Sequence, residues 1–249
     1  MPLIDRRALM AGIGATLATA SSATTARPLR VIAFDAFPIF DPRSIAALAR
    51  QKLGDKGDAL AAAWSAKLFG YGWLETAAGR YSDFATLADA ALRYSAEAMG
   101  IALDDPTRRA LVDHYGELDV WPDVKPALAR LHAAGLRLVF LSNLGAAALG
   151  ANMQRNGIAG LFEPPLSTDR VRKFKPAPQA YAMAIDALGL PREQIGFAAF
   201  GGWDAIGATW FGYRTAWVNR AGAPAEPLGV EPAFTSRGME SVLALAGLS

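Results

Sequence analysis

One stretch, Leu29-Arg30-Val31-Ile32-Ala33-Phe34-Asp35-Ala36-Phe37, limits the possible folds more than any other part of the chain. It is a short apolar run centred on Val31 and Ile32 and bounded by Pro28 and Pro38. It reads as a strand buried on both faces, as strands of parallel sheets are. An acid, Asp35, stands at its carboxyl end. Open α/β sheets bind their ligands in the crevice outside those strand ends. The structural alternative is that Asp35 caps the next segment, since Asp is common at strand-to-loop junctions.

The pattern recurs. Leu136 to Leu141 is a second buried strand that stops at Ser142-Asn143, and Phe162 to Thr168 is a short one upstream of Phe174-Lys175-Pro176. Ile195 to Phe200 runs into Gly201-Gly202-Trp203-Asp204, and Arg214 to Val218 is the last strand. Helical text separates them at Ala146 to Asn156, Pro178 to Leu188 and Ala205 to Phe211, with another helix from Met239 to Ala246. Strands alternating with helices predict an α/β fold with a doubly wound parallel sheet. Between the first two strands lies a helical block, Ser44 to Leu53, Asp58 to Phe69 and Phe84 to Met99, punctuated by glycines that include Gly70 and Gly72. Residues 41–100 therefore read as an inserted helical cap on a core of residues 29–40 and 101–249. Thr107 to Tyr115 and a segment from Trp121-Pro122-Asp123 to Ala134 supply two more helices. The cap aromatics Trp64, Phe69, Tyr71, Trp73, Tyr81 and Phe84 either line a small-molecule pocket or form helix core.

Met1 to Ala26 precedes all of this with Asp5-Arg6-Arg7, an apolar run from Ala8 to about Ala20, and small residues beyond. That is a signal-peptide pattern, and Arg6-Arg7 before Ala8-Leu9-Met10 resembles a twin-arginine leader. The apolar run is too short to span a membrane comfortably. The expectation is export to a bacterial periplasm, with cleavage after Ala18-Thr19-Ala20 or near Ala26.

Composition narrows the chemistry. The chain has 249 residues, of which 52% are hydrophobic, and a net charge of only +2 with scattered Lys and Arg. Nucleic-acid binding has no electrostatic basis in such a distribution. There is no Cys and there are two His, so thiol chemistry is excluded and a His- or Cys-built metal site is not expected. A hydrolytic site must rest on carboxylates, Lys, Ser and Asn. Asp35, Ser142-Asn143, Lys175 and Asp204 supply that set, each just past a strand or in the loop leading from one. Parallel strands bring such positions to one crevice. The set suits displacement by a carboxylate: one Asp attacks, Lys175 balances its charge, and the other Asp helps activate the water that cleaves the ester. Taken singly, Asp204 could be a helix cap, Lys175 a solvated charge and Ser142-Asn143 a turn.

Phe34-Asp35-Ala36-Phe37, Leu141-Ser142-Asn143, Ser167 to Val171 with Phe174-Lys175-Pro176, and Trp203-Asp204-Ala205-Ile206-Gly207-Ala208 together resemble the haloacid dehalogenase superfamily, and more closely its type II L-2-haloacid dehalogenases. Phe211-Gly212-Tyr213, Trp217 to Arg220, Pro227-Leu228-Gly229 and the cap segments Trp64 to Leu74 and Gly79 to Phe84 extend the likeness over nearly the whole chain after the leader. The resemblance implies that Asp35 attacks the α-carbon of a short 2-halocarboxylate, expels halide and forms an ester that water cleaves to a 2-hydroxy acid. Asp204 would help activate the water, Lys175 would pair with Asp35, and Ser142 and Asn143 would hold the carboxylate or halide side, with Phe37 and Trp203 also contacting substrate. No cofactor or metal is implied. The superfamily's phosphatases carry a second Asp two residues after the nucleophile, and Phe37 stands there. The expected partner is a short halogenated carboxylate, without nucleic acid or stable membrane insertion, and a homodimer stays open.

The chain departs from type II at the chemistry itself. That pattern has Tyr, Gly and Thr where this chain has Phe37, Pro38 and Ile39, and an Arg after the cap Trp where aligning Trp64, Lys67, Tyr71 and Trp73 leaves Ser65. It has Ser and Asn before the last Trp-Asp, where Ala199 and Gly201 stand. Losing one transition-state donor commonly slows a reaction by about two to three orders of magnitude. Three readings follow. One is a dehalogenase with a remodelled halide site, in which Arg43, Arg80 or the cap aromatics compensate. The others are a hydrolase of another small substrate through the same ester, and an exported binding protein without turnover.

Overall fold

The structure, a computed structural model, describes residues 28–248. The leader expected at 1–26 lies outside them. The chain opens with β1 (Val31–Phe34), whose four residues are all fully buried. It continues through helices α1 (Arg43–Leu53), α2 (Gly57–Ala77), α3 (Phe84–Ala98), α4 (Asp105–Asp113) and α5 (Val124–Ala133). Then come β2 (Arg137–Ser142), α6 (Ala146–Arg155), β3 (Leu166–Ser167), α7 (Pro178–Leu188), β4 (Ile195–Ala199), α8 (Gly202–Phe211), β5 (Arg214–Val218), β6 (Phe234–Ser236) and α9 (Glu240–Leu245).

The six strands form one parallel sheet in the order β3-β2-β1-β4-β5-β6. The fold is the expected doubly wound α/β arrangement. Because alternate strand residues point to opposite faces, the core divides in two. Ile32, Phe34, Leu138 and Phe140 face one side with the residues of α1 to α5. Val31, Ala33, Val139 and Phe197 face the other with α7 and α8. Both faces are covered, which is why the strands carry no alternation of polar and apolar residues. The chain leaves β1 toward β2 on one side and returns to β4 on the other, so the order reverses at the carboxyl end of β1. Asp35 stands at that point.

Helices α1, α2 and α3 pack on one another, and α4 lies against α3 and α1. Their starts are set by side-chain caps where the sequence offers them. Asp83 accepts from the Thr86 N–H at 2.9 Å, and Asp104 accepts from the Thr107 N–H at 2.7 Å with Pro106 in the first turn.

Four expectations change. Gly70 and Gly72 do not break the cap helix, which continues to Ala77; Gly72 is buried against the Phe174 ring, and this packing outweighs the helix propensity lost at glycine. The strand expected over Phe162 to Thr168 is two residues long, because only Leu166 and Ser167 pair with β2. Strand β6, three partly exposed residues, had no apolar run to reveal it. Helix α8 begins at Gly202 rather than Ala205, so Asp204 lies inside its first turn, where the helix dipole favours an acid.

Helix α8 approaches α7 closely because residue 207 is glycine. A Cβ there would lie 2.6 Å from the Tyr181 hydroxyl and 2.8 Å from Pro176 Cβ, both fixed by packing. Gly207→Ala should therefore destabilise the fold by about 1–3 kcal/mol, the usual cost of overpacking a core, read as a lower thermal unfolding midpoint.

Candidate active site

The loop after β1 turns back on itself: the Ile39 and Phe40 N–H groups both donate to the Ala36 carbonyl. Trp121 Nε1 donates to the Phe37 carbonyl at 3.0 Å, and Arg220 donates to that of Pro38 at 3.0 Å, which fixes the loop from below. Asp35 is thereby held at the end of the strand with its side chain 12% exposed.

Three charged groups meet there, as the strand pattern predicts. Lys175 Nζ donates to Asp35 Oδ1 at 2.8 Å and to Asp204 Oδ2 at 2.7 Å, and the lysine is completely buried. Its backbone N–H donates to Asn143 Oδ1 at 2.9 Å, so the residue after β2 positions the loop that carries the lysine. Ser142 Oγ donates to Asp35 Oδ1 at 3.2 Å. Asp35 Oδ2 receives only a 3.3 Å bond from the Phe37 N–H. Thus the two oxygens of Asp35 differ: Oδ1 is held by a cation and a hydroxyl, and Oδ2 is nearly unencumbered.

Asp204 lies behind the lysine. Its second oxygen, Oδ1, accepts from the Tyr181 hydroxyl at 2.7 Å, and it does not line the cavity in front of Asp35. Burial pushes its carboxyl up to about 6, with Asp35 adding to the push and Lys175 opposing it. Burial works against the Lys175 charge too, but Asp204 and Asp35 outweigh it and hold the ammonium above the ordinary lysine range. Burial, reinforced by the Asp204 charge, raises the Tyr181 phenol well above its usual value, so it remains a donor. Tyr181 is the participant that the sequence did not announce. It looks like one more apolar position on α7, and only the approach of α8 turns its hydroxyl into a partner for Asp204.

In front of Asp35 is a cavity of about 500 Å³ between the strand ends and helices α1 to α3. Asp35, Ser142 and Asn143 line its floor, and Phe37, Phe200 and Trp203 form part of the wall. Of the cap aromatics, Phe69 and Phe84 line the cavity. Trp64 is core, its Nε1 donating to the Ala88 carbonyl at 2.7 Å, and Tyr81 stacks on Phe174 instead. Among the described residues no three His, Asp or Glu side chains cluster as a metal site requires.

A family model described as haloacid dehalogenase-like hydrolase matches residues 34–209, more than half of the chain. The chain belongs to this family. Among curated proteins, this hydrolase is 34% identical to an (S)-2-haloacid dehalogenase of Pseudomonas sp. (strain YL) over 87% of its own length and 94% of the relative's. Among solved structures, it is similar to the L-2-haloacid dehalogenase RSc1362, at 37% identity and a TM-score of 0.86 over 88% of this chain and 99% of the other. It is also similar to the L-2-haloacid dehalogenase of Xanthobacter autotrophicus with chloropropionic acid covalently bound. The identity there is 27% and the TM-score 0.79, over 87% and 98% of the two chains.

The substituted positions of this haloacid dehalogenase-like hydrolase fall around the site. Ser65, in place of an Arg, lines the cavity. Gly201 also lines it, and a Cβ there would lie 2.7 Å from Trp203 Nε1, so the indole occupies the room that an Asn would need. Ile39 and Ala199 are fully buried and belong to the two core faces. Arg43 lines the cavity but forks onto Asp41 and sits 4.4 Å over the Trp121 ring, so its charge is already matched. Arg80 lies in a separate cleft with Glu75, Arg172 and Lys173 and does not reach Asp35.

Removing the shared cation tests how far the cluster depends on it. Lys175→Met should cost about 3–5 kcal/mol of stability at pH 8, because it leaves two carboxylates buried without a counter-charge. Without the Lys175 charge that opposes it, the burial of Asp204 pushes its carboxyl up further, so protonation on going to pH 5 relieves the repulsion and the deficit relative to wild type shrinks. Denaturant unfolding of both proteins at the two pH values reads the difference.

Proposed function

We propose that this hydrolase cleaves the carbon–halogen bond of 2-halocarboxylates through an ester on Asp35. The observation that carries the reading is the asymmetry of the Asp35 carboxylate at the cavity floor. Oδ2, with one weak backbone bond, is the attacking oxygen. Its lone pair forms the bond to C2 while the carbon–halogen bond breaks and halide leaves with the bonding pair. Oδ1 becomes the ester carbonyl and stays against Lys175 and Ser142. When water attacks Cγ, negative charge develops on Oδ1, where the ammonium and hydroxyl are already in place. The Cγ–Oδ2 bond then breaks, and the 2-hydroxy acid leaves with that oxygen and takes one proton of the water as its hydroxyl. The other proton is released to solvent, and Asp35 keeps the oxygen of water as a carboxylate. The covalently bound chloropropionic acid in the Xanthobacter relative supports this chemistry.

Asp204 supports the second step. Once Asp35 is esterified it is neutral, and Asp204 is the carboxylate still charged beside the ester, linked to it through Lys175. Asn143, Phe37 and Trp203 contact the substrate from the floor and wall. Turnover needs no added metal in this reading, since the Lys175 ammonium lies between the two carboxylates where a metal ion would otherwise balance them. Export by a twin-arginine leader into a periplasm is part of the proposal and rests on the Arg6-Arg7 pattern.

Halide release from L-2-chloropropionate or L-2-bromopropionate in the presence of a chelator tests the reading, and it should fall to background in Asp35→Asn. Asp204→Asn should release about one equivalent of halide per protein and then stall. Its steady rate should drop by about 10²–10³-fold, as expected when a preorganised charge beside the reacting ester is lost. Steady turnover of the wild type should fall about tenfold per unit once acid protonates Asp204 in the ester, at a pH below about 6 because esterification removes the Asp35 charge that helps push this carboxyl up. A folded protein that releases no halide from any 2-haloacid would contradict the proposal.

A further inference from the structure

The cavity is much larger than a three-carbon haloacid. Such a molecule has six non-hydrogen atoms, which occupy about 180 Å³ if each takes the roughly 30 Å³ share of a water molecule. The cavity is about 500 Å³, a size that elsewhere encloses ligands of drug dimensions. The extra room lies between α1 and α2, where the facing positions carry small side chains: Ala46 on α1 and Ala61, Ala62 and Ser65 on α2. At Ser65 the shortening is itself one of the departures from the type II pattern, so the space left by a guanidinium side chain belongs to the cavity.

The chemistry of this outer part is apolar. Ile45, Leu68 and Phe69 wall it. Its two charged residues are each paired outside the cavity, Arg43 with Asp41 and Asp58 with Arg50 at 2.7 Å. Neither offers an unmatched charge to a second ionic group on a ligand.

We propose that the site takes a carboxylic acid with a long or bulky apolar substituent on the reacting carbon, seated between α1 and α2, rather than hydrogen or methyl. Applied to the dehalogenation proposed above, on which this part rests, the substrate class is medium-chain or arylalkyl 2-halocarboxylates. The tail contacts are the same before and during reaction, so they lower KM and leave kcat nearly unchanged. Each methylene moved from water into the cavity should improve kcat/KM about fourfold.

The test compares 2-bromopropionate, 2-bromohexanoate and 2-bromooctanoate, with binding of unhalogenated propionate, hexanoate and octanoate followed by calorimetry. The proposal predicts kcat/KM at least tenfold higher for the six-carbon than for the three-carbon acid, through KM. Affinity for the plain acids should rise in the same order. Ala61→Phe, or Ala46→Leu should the first variant unfold, should reduce the six- to three-carbon ratio at least fivefold. A ratio near one in wild type, or affinity independent of chain length, overturns the inference while halide release from propionate leaves the dehalogenase reading standing. Chain-length-dependent binding without halide release from any acid supports the apolar seat and overturns dehalogenation.

Discussion

A buried ammonium between two carboxylates holds this structure's chemistry together. Lys175 has no contact with water and two acids within 2.8 Å. Each of the three charges would be costly to bury alone, and together they are tolerable only because every partner is in place. The arrangement also prepares reaction. Asp35 lines the cavity and shares its cation with Asp204, so its own charge is incompletely balanced, and its freer oxygen keeps one weak backbone bond. When Asp35 becomes an ester and loses its charge, Lys175 and Asp204 remain a matched pair, so the cluster loses repulsion as the intermediate forms.

Much of the fold keeps that lysine where it is. Asn143 at the end of β2 holds the Lys175 backbone, Tyr181 on α7 holds the far oxygen of Asp204, and Gly207 lets α8 come close enough for the Tyr181 contact. Asn143 directly follows β2, and Tyr181 and Gly207 lie on the helices that follow β3 and β4. Parallel topology brings the three together, and it requires a sheet covered on both faces. Core and site are therefore coupled: an overpacked α7–α8 contact also disturbs the hydrogen bond that holds Asp204.

The architecture was legible in the sequence because β1, β2, β4 and β5 are short apolar runs and the first three of these lead into polar residues. Asp35, Ser142, Asn143 and Lys175 were found in this way, and the structure brings them together. Asp204 was found for the same reason but misplaced by a helix turn, since Gly201-Gly202 reads as a loop until the helix start at Gly202 is seen. Tyr181 was missed because nothing in its local pattern distinguishes a hydroxyl with a buried partner from an ordinary core aromatic. The cap helices were evident from their period, but which of their residues border the cavity depends on how α1 and α2 face each other. Of the six cap aromatics only Phe69 and Phe84 border the cavity, and the alanines beside Ser65, which carry no chemical signal, shape it.

The central claim is that Asp35 is consumed and regenerated in each turnover. A single turnover of excess protein on a 2-halocarboxylate in water enriched in heavy oxygen, followed by mass measurement of the peptide containing Asp35, tests it most directly. If water attacks Cγ of the ester, the heavy oxygen appears in the Asp35 side chain and the first 2-hydroxy acid released is unlabelled. Label in that first product with an unchanged Asp35 peptide would mean that water attacks the substrate itself, and the ester account would be wrong.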